Sequence, residues 1–415
     1  MQHTSAMDSI ATPNALPADS IMLHIGAHKT GTTSLQAALY EAREALAAQG
    51  VFNLVPVGAE SANVAARAVQ RLPASGTSGS PVDYKIWEEL VASSMKHRGC
   101  RVAISAEAFA VSEPAVIENI VRDLGREHLH VVVTLRPLAK ILPSQWQQDL
   151  HGAWQSSAFD TWLKEVLKDP RPSKRVGLVD VPHRFWYRHR HDELVLRWAR
   201  LVGPERITVV VVEERRSEAL FEAFEQLLGI QDGTLPRNVS SRNQSMTLPE
   251  MLIMQRYGEL LESSELGRRV VEQARYHRAL RILRKIRPDN LRDARLQIPS
   301  WSHARVGKIQ EEMRLRLTSI GVNVVGSLDR LVWLPELEPN GAEDTQSVHT
   351  VSEAERERIT QRMLKSAARR VGVDQSNSGA HSGSRSNRLV RVLANARRGA
   401  ARVLRLGTRF IRLRF

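Results

Sequence analysis

At 415 residues the chain is long enough for two or three domains of roughly 150 residues each, and an apolar fraction of 42% excludes wholesale disorder. No run approaches the ~18 consecutive apolar residues of a membrane-spanning helix, and the one cysteine, Cys100, excludes an internal disulfide and a thiolate metal cluster, which points to a reducing compartment. The net charge of +14 invites a nucleic-acid reading, but ten arginines between Arg385 and Arg414, with no acidic residue among them, supply most of it; the mildly basic remainder suits a protein that binds a polyanionic nucleotide rather than a nucleic-acid backbone.

Residues 1–19 contain Asp8, Asp19 and two prolines, and no basic stretch followed by an apolar run, so they read as a flexible start without a secretory signal, in keeping with a cytoplasmic protein. Ile21–Gly26 reads as a buried strand and Thr32–Gln49 as the helix after it, stopped by Gly50. Pro73–Pro81 reads as a loop, Tyr84–His97 as a helix and Arg101–Ser105 as a second strand. A helix at Pro114–Leu124, a strand at His130–Leu135 and a helix containing Gln145–Leu150 follow. Helix, strand and helix then come again at Asp192–Leu201, Ile207–Val212 and Ser217–Leu228, the last stopped by Gly229. This alternation predicts an α/β fold with a parallel sheet flanked by helices. Pro249 to about Arg287 has a helical pattern that would cover the sheet, and Val322–Trp333 reads as a final structured turn. The sheet domain is therefore expected over 20–334, with a loop and a helix over 335–374, the helix capped by Ser352 and Glu355. Residues 375–415 read as a Ser/Gly/Asn linker and an Arg-rich tail.

The segment Gly26-Ala27-His28-Lys29-Thr30-Gly31-Thr32-Thr33-Ser34 lies between a strand and a helix, where backbone N–H groups and the helix dipole make an anion site. Small residues let the backbone wrap a phosphate, Lys29 adds a point charge, and the hydroxyls of Thr30, Thr32, Thr33 and Ser34 can donate to its oxygens. A nucleoside-triphosphatase loop would carry lysine directly after its second glycine. Here Thr32 follows Gly31, and the lysine precedes that glycine by two positions. A second segment, Val131-Val132-Val133-Thr134-Leu135-Arg136-Pro137, ends a strand on an arginine and is followed by Ser144-Gln145-Trp146. Arg136 would project into the crevice where open α/β sheets bind ligands, with a fork suited to phosphate. Pro143 predicts a turn over 137–142 and a fresh helix start at Pro143.

His24–Ser34 resembles, without a gap, the first donor-binding loop of sulfotransferases that use 3′-phosphoadenosine 5′-phosphosulfate (PAPS), in the form found in bacterial members with glycan-like acceptors. Arg136 and Ser144, eight residues apart, resemble that family's second motif. The resemblance implies that the first loop holds the 5′-phosphosulfate, with Lys29 at the bridging oxygen, and that Arg136 and Ser144 hold the 3′-phosphate. It implies an acceptor hydroxyl on a glycan, glycolipid or similar molecule, sulfated by in-line attack. Asn243-Gln244-Ser245 resembles a family Asn-x-Ser within the polar segment Arg237–Ser245.

Sulfuryl transfer, like phosphoryl transfer, relies on positioning and charge stabilisation and needs no metal in principle. The acceptor still has to lose a proton. Glu107, directly after the second strand, is the candidate base, and the resemblance adds that carbohydrate sulfotransferases carry a glutamate base in a similar position. Glu107 could equally serve a helix dipole. His28 is its rival for a catalytic role, whereas His24, inside the strand, reads as buried and hydrogen-bonded. His151 and His183–His191, with Arg184, Trp186, Tyr187, Arg188 and Arg190, read as loop; aromatic and basic residues interleaved so suit acceptor binding, for which Trp146, Trp186 and Tyr187 are candidates, and suit a solvated loop as well. The tail, alternating Arg with Leu, Val, Ile and Phe, could bind an anionic membrane surface at the inner face of the cell membrane or act as a solubilising extension. The rival functions are a P-loop kinase and a non-catalytic nucleotide-binding, membrane-associated protein.

Overall fold

A computed structural model of the chain describes residues 14–74, 79–151, 158–172, 181–213, 216, 218–237, 246–262, 283, 296–335 and 353–363. The Asn243–Ser245 segment, the Ser352 cap, the linker and the Arg-rich tail lie outside them. Among the described residues no helix is long and apolar enough to cross a membrane.

The described residues form two compact units. The first draws on Met1–Gln145, Asp160–Gln244 and Gln297–Ala342. In chain order it opens with β1 (Ile21–His24), α1 (Thr32–Glu41), α2 (Arg43–Ala47), β2 (Val51–Asn53), α3 (Asn63–Val69), α4 (Lys85–Lys96) and β3 (Arg101–Ser105). A 3₁₀ turn at Glu107–Val111, α5 (Pro114–Leu124), β4 (Leu129–Leu135) and α6 (Leu138–His151) come next, the end of α6 belonging to the second unit. α7 (Phe159–Lys168), α8 (Val181–His189), α9 (His191–Val202), β5 (Ile207–Val211) and α10 (Ala219–Leu228) follow. After α11 (Leu248–Glu262), which belongs to the second unit, α12 (His303–Ile320) and β6 (Asn323–Val325) complete the first.

All six strands are parallel, in the order β2-β3-β1-β4-β5-β6, with Leu23 of β1 opposite Ile104 on one side and Val131 on the other. Because side chains alternate across a strand, the sheet feeds two separate cores. Leu23, Ile104, Val131, Val133 and Val209 pack with Phe109, Ile117, Ile120 and Trp198 on one face. Met22, Ala103, Val132 and Val210 pack with Leu35, Leu39 and Phe224 on the other. Both faces are covered, which is why the strands read as unbroken apolar runs.

The parallel α/β architecture expected from the sequence is the one observed, with two additions. Val51–Asn53 forms an edge strand directly after Gly50, and Asn323–Val325 forms the opposite edge where a turn was expected. The expected helix at Thr32–Gln49 is two helices that part at Ala42. Two loop expectations are corrected. α6 starts at Leu138 and runs through Pro143 without restarting there. The Pro137 carbonyl accepts the N–H groups of Lys140 and Ile141, so the helix is established before Pro143, whose missing N–H removes a single bond of the ladder. The segment expected as a loop around His183–His191 is helical, forming α8 and the start of α9, and His151 closes α6.

In the second unit α11 begins with a reciprocal cap: the Thr247 N–H donates to Glu250 Oε2 at 2.9 Å, and the Glu250 N–H to Thr247 Oγ1 at 3.4 Å. Met251, Ile253, Met254 and Tyr257 are among its buried residues, and burial pushes the Tyr257 hydroxyl up to about 12. Arg256 pairs with Glu357, from the helical segment over 353–363, at 3.1 Å.

Candidate active site

The carboxyl ends of β1, β3 and β4 lie side by side, and each ends on a polar residue: His24, Ser105 and, one residue before its end, Thr134. His24 shares hydrogen bonds with Ser105 Oγ at 2.8 Å through Nδ1 and with Thr134 Oγ1 at 3.2 Å through Nε2. Thr134 Oγ1 in turn lies 2.6 Å from Thr30 Oγ1, which donates to the Ala27 carbonyl at 2.7 Å. That last bond sets the direction of all the others. Since the Thr30 proton goes to Ala27, Thr134 must donate to Thr30, His24 must donate to Thr134 from Nε2, and its bare Nδ1 accepts from Ser105. The ring is neutral, and burial holds it down at about 3. The polar chain pins the loop Gly26–Gly31 to three strands at once.

Above this floor the backbone turns sharply. Gly26 (φ 93°), Lys29 (φ 67°) and Gly31 (φ 87°) are all left-handed. A β-carbon at Gly31 would also meet Leu220 Cδ2 at 3.1 Å. Gly31 caps α1, and its carbonyl accepts the N–H groups of Ser34 and Leu35. The N–H groups of Thr32 and Thr33, in the first turn, therefore have no acceptor within the helix and face the end that carries the positive dipole. Backbone donors so arranged, in a loop that contains Lys29, have the geometry an anion cradle would need.

The four hydroxyls expected to line the cradle divide into two pairs. Thr33 and Ser34 are exposed at the helix start. Thr30 is 1% exposed and its proton is committed to Ala27, so its role is to hold the loop rather than to donate to a ligand. Thr32 donates to Glu107 Oε2 at 2.5 Å. That bond joins the loop to the candidate base.

Glu107 opens the 3₁₀ turn after β3 and is half-buried. Asn63 Oδ1 accepts the N–H of the next residue, Ala108, at 3.1 Å, while Asn63 Nδ2 donates to Ser61 Oγ and Gln36 Oε1. Asn63 thus braces the backbone that carries the carboxylate. The charges of Arg188, Glu107 and Lys29 all act on the ring of His28. Burial, helped by Arg188 and Lys29 and opposed by Glu107, pulls His28 down to about 4. Its ring meets His189 edge-on at 6.4 Å, and His189 Nε2 lies 3.1 Å from Gln145 Oε1.

Arg136, directly after β4, is half-buried and donates from Nη1 to the Lys29 carbonyl at 3.4 Å, so the two sequence motifs touch. Ser144 lies two turns on in α6 and is half-buried. The three acceptor-binding candidates are placed differently. Trp186 is a core residue, 0% exposed, with Nε1 donating to the Val166 carbonyl at 2.7 Å. Trp146 belongs to the second unit, where it is buried against Phe159 with ring centroids 5.3 Å apart. Tyr187 alone is half-exposed; Arg197 covers its ring at 4.3 Å and its hydroxyl donates to the Ser112 carbonyl at 3.4 Å. Arg190, expected in a loop suited to acceptor binding or to solvent, is 7% exposed and paired with Asp192.

Ser105, Thr134 and Asn63 adjoin the candidate site and carry no role in the sequence motifs, whereas His189 falls within the His183–His191 cluster. Ser105 and Thr134 had a signal: polar residues at the ends of otherwise apolar strands.

Histidines held neutral in the folded protein make acid stability a test of this arrangement. His24 is held at about 3, and His28, His130 and His191 at about 4, each chiefly by burial. The unfolded chain takes up these protons near pH 6.5 and the folded one does not until pH 3–4. Their contribution is complete above about pH 6.5 and is lost as the pH falls toward 4. The urea midpoint is expected to drop between pH 7 and pH 5, above the carboxylate range; a flat profile there would contradict buried neutral rings.

No family model matches the chain, and no curated protein matches it. Among solved structures it is similar to a sulfotransferase from Alicyclobacillus acidocaldarius, at 16% identity over 57% of this chain and 89% of that one, with a TM-score of 0.37. Similarity at that level says nothing about activity, so function has to be argued from the residues.

Proposed function

We propose that the protein is a sulfotransferase that moves the sulfuryl group of PAPS onto a hydroxyl of a glycan, glycolipid or similar acceptor. The observation that carries the reading is the 2.5 Å bond between Thr32, the first residue of the cradle helix, and Glu107. It sets a carboxylate beside a phosphate-type loop whose lysine precedes the glycine, a register that a P-loop kinase does not use.

The backbone donors of Thr32 and Thr33, the exposed hydroxyls of Thr33 and Ser34, and Lys29 are fitted to hold the 5′ end of the donor. Arg136, which touches the Lys29 carbonyl, and Ser144 are fitted to its 3′-phosphate. The donor brings an activated sulfuryl group with a phosphate as leaving group. Lys29 contributes charge where that phosphate would be released, and Glu107 takes the proton of the acceptor hydroxyl. Neutral His28 can donate or accept a hydrogen bond there but carries no charge near pH 7.

The test is binding of 3′-phosphoadenosine 5′-phosphate, the spent donor, without magnesium and with ATP as comparison ligand. Wild type is expected to prefer the 3′-phosphorylated nucleotide. Arg136→Ala should abolish that preference and Lys29→Ala should weaken binding of the 5′ end, each by roughly tenfold or more, the order expected for a charge-assisted contact. Tighter, magnesium-dependent binding of ATP would sink the sulfotransferase reading in favour of the kinase.

A further inference from the structure

The Thr32 hydroxyl stands between two sites that both have a use for it. It is the first residue of α1, where an anion in the cradle would sit, and its proton is donated to Glu107 Oε2 at 2.5 Å. A hydroxyl has one proton to give. It cannot donate to Glu107 and to a bound phosphate oxygen together. The surroundings leave little else to move. Thr32 is 3% exposed. The Glu107 backbone is held through Ala108 by Asn63, and a β-carbon on Gly26 would lie within 3.5 Å of Glu107 Cα, so loop and turn are in close approach.

We infer that Thr32 is a positioning residue that withholds Glu107 from the acceptor until the donor is bound. With the cradle empty, Oε2 is occupied by the Thr32 proton. An anion in the cradle draws that proton to itself, and Oε2 is left bare to accept from the acceptor hydroxyl. Donor binding thereby completes the base, which imposes an order, donor before acceptor, without a moving lid. The inference rests on the reading of Gly26–Ser34 as the donor cradle.

The test needs no acceptor. In protein carrying ¹³C-labelled glutamate side chains, the Glu107 carboxylate resonance is assigned by its absence from Glu107→Gln and followed as 3′-phosphoadenosine 5′-phosphate is added to saturation. It is expected to move in wild type. In Thr32→Val it should already stand, before any nucleotide, where the wild-type signal ends, and should not move further; Thr32→Ser, which keeps the hydroxyl, should behave as wild type. A wild-type resonance that stays still at saturation overturns the inference, as does a Thr32→Val resonance that moves as far as wild type, which would be the direct field of the nucleotide. Failure of the nucleotide to bind wild type at all would instead remove the donor reading, and the inference with it.

Discussion

Replacing Glu107 by glutamine is expected to lower sulfuryl transfer by roughly 10²–10⁴-fold while leaving affinity for 3′-phosphoadenosine 5′-phosphate within about twofold, because a positioned general base contributes about that much to a rate. The amide keeps the shape of the side chain and can still accept from Thr32, so the loop–turn contact at 2.5 Å survives the change. What is lost is the capacity to take a proton. Transfer rate and nucleotide affinity, measured on one preparation, separate the roles. A fall in both would make Glu107 part of the donor site, and an unchanged rate would pass the role of base to His28, on whose ring Glu107, Lys29 and Arg188 all act.

The second large effect is expected at the junction of α8 and α9, directly after His189. Asp192, whose side chain is fully buried, binds Arg190 through two bonds of 3.0 Å and Arg316 through another of 3.0 Å. Arg190 is itself only 8% exposed in its side chain. Asp192→Ala leaves that guanidinium only the Pro170 carbonyl at 3.4 Å and the Glu312 carboxylate at 3.8 Å, and breaking a buried pair in this way costs up to about 3–5 kcal/mol. The urea midpoint should fall accordingly, whereas Arg171→Ala, which breaks the solvent-exposed pair with Asp169, should leave it unmoved. If both substitutions were equally mild, Glu312 would have taken over the charge of Arg190.

Much of this architecture could be read in the sequence, for a physical reason. Strands buried on both faces appear as short apolar runs, and those at Arg101–Ser105 and Ile207–Val211 have the boundaries, or nearly the boundaries, expected. The edge strands did not stand out. Val51–Asn53 and Asn323–Val325 have three residues each and one buried residue apiece, too few for a periodic signal. α12 escaped notice because Arg305, Lys308, Glu311, Glu312, Arg314 and Arg316 crowd it, yet its buried residues Val306, Ile309, Gln310, Met313 and Leu317 keep helical spacing. α8 was read as loop because its buried side is made of Phe185, Trp186 and His189 rather than aliphatic residues. At the site, the loop and Arg136 were visible as local motifs. The His24 chain and the Asn63 brace were not, since they join residues 45 to 110 positions apart, and no window along the sequence contains both partners.

The sheet order also bears on how the protein is made. β1 is flanked by β3 and β4 and pairs with no strand near it in the chain, so Ile21–His24 must wait until the ribosome has delivered Arg101–Ser105 before it has a neighbour. At ordinary translation speeds that wait is on the order of ten seconds, during which one of the most apolar segments of the molecule has an unpaired backbone. The first strand to be synthesised thus gains its first neighbour only when β3 arrives, and its second only with β4. A chaperone that shields nascent chains would therefore be expected to engage the first hundred or so residues, and synthesis without one should yield aggregates that begin there.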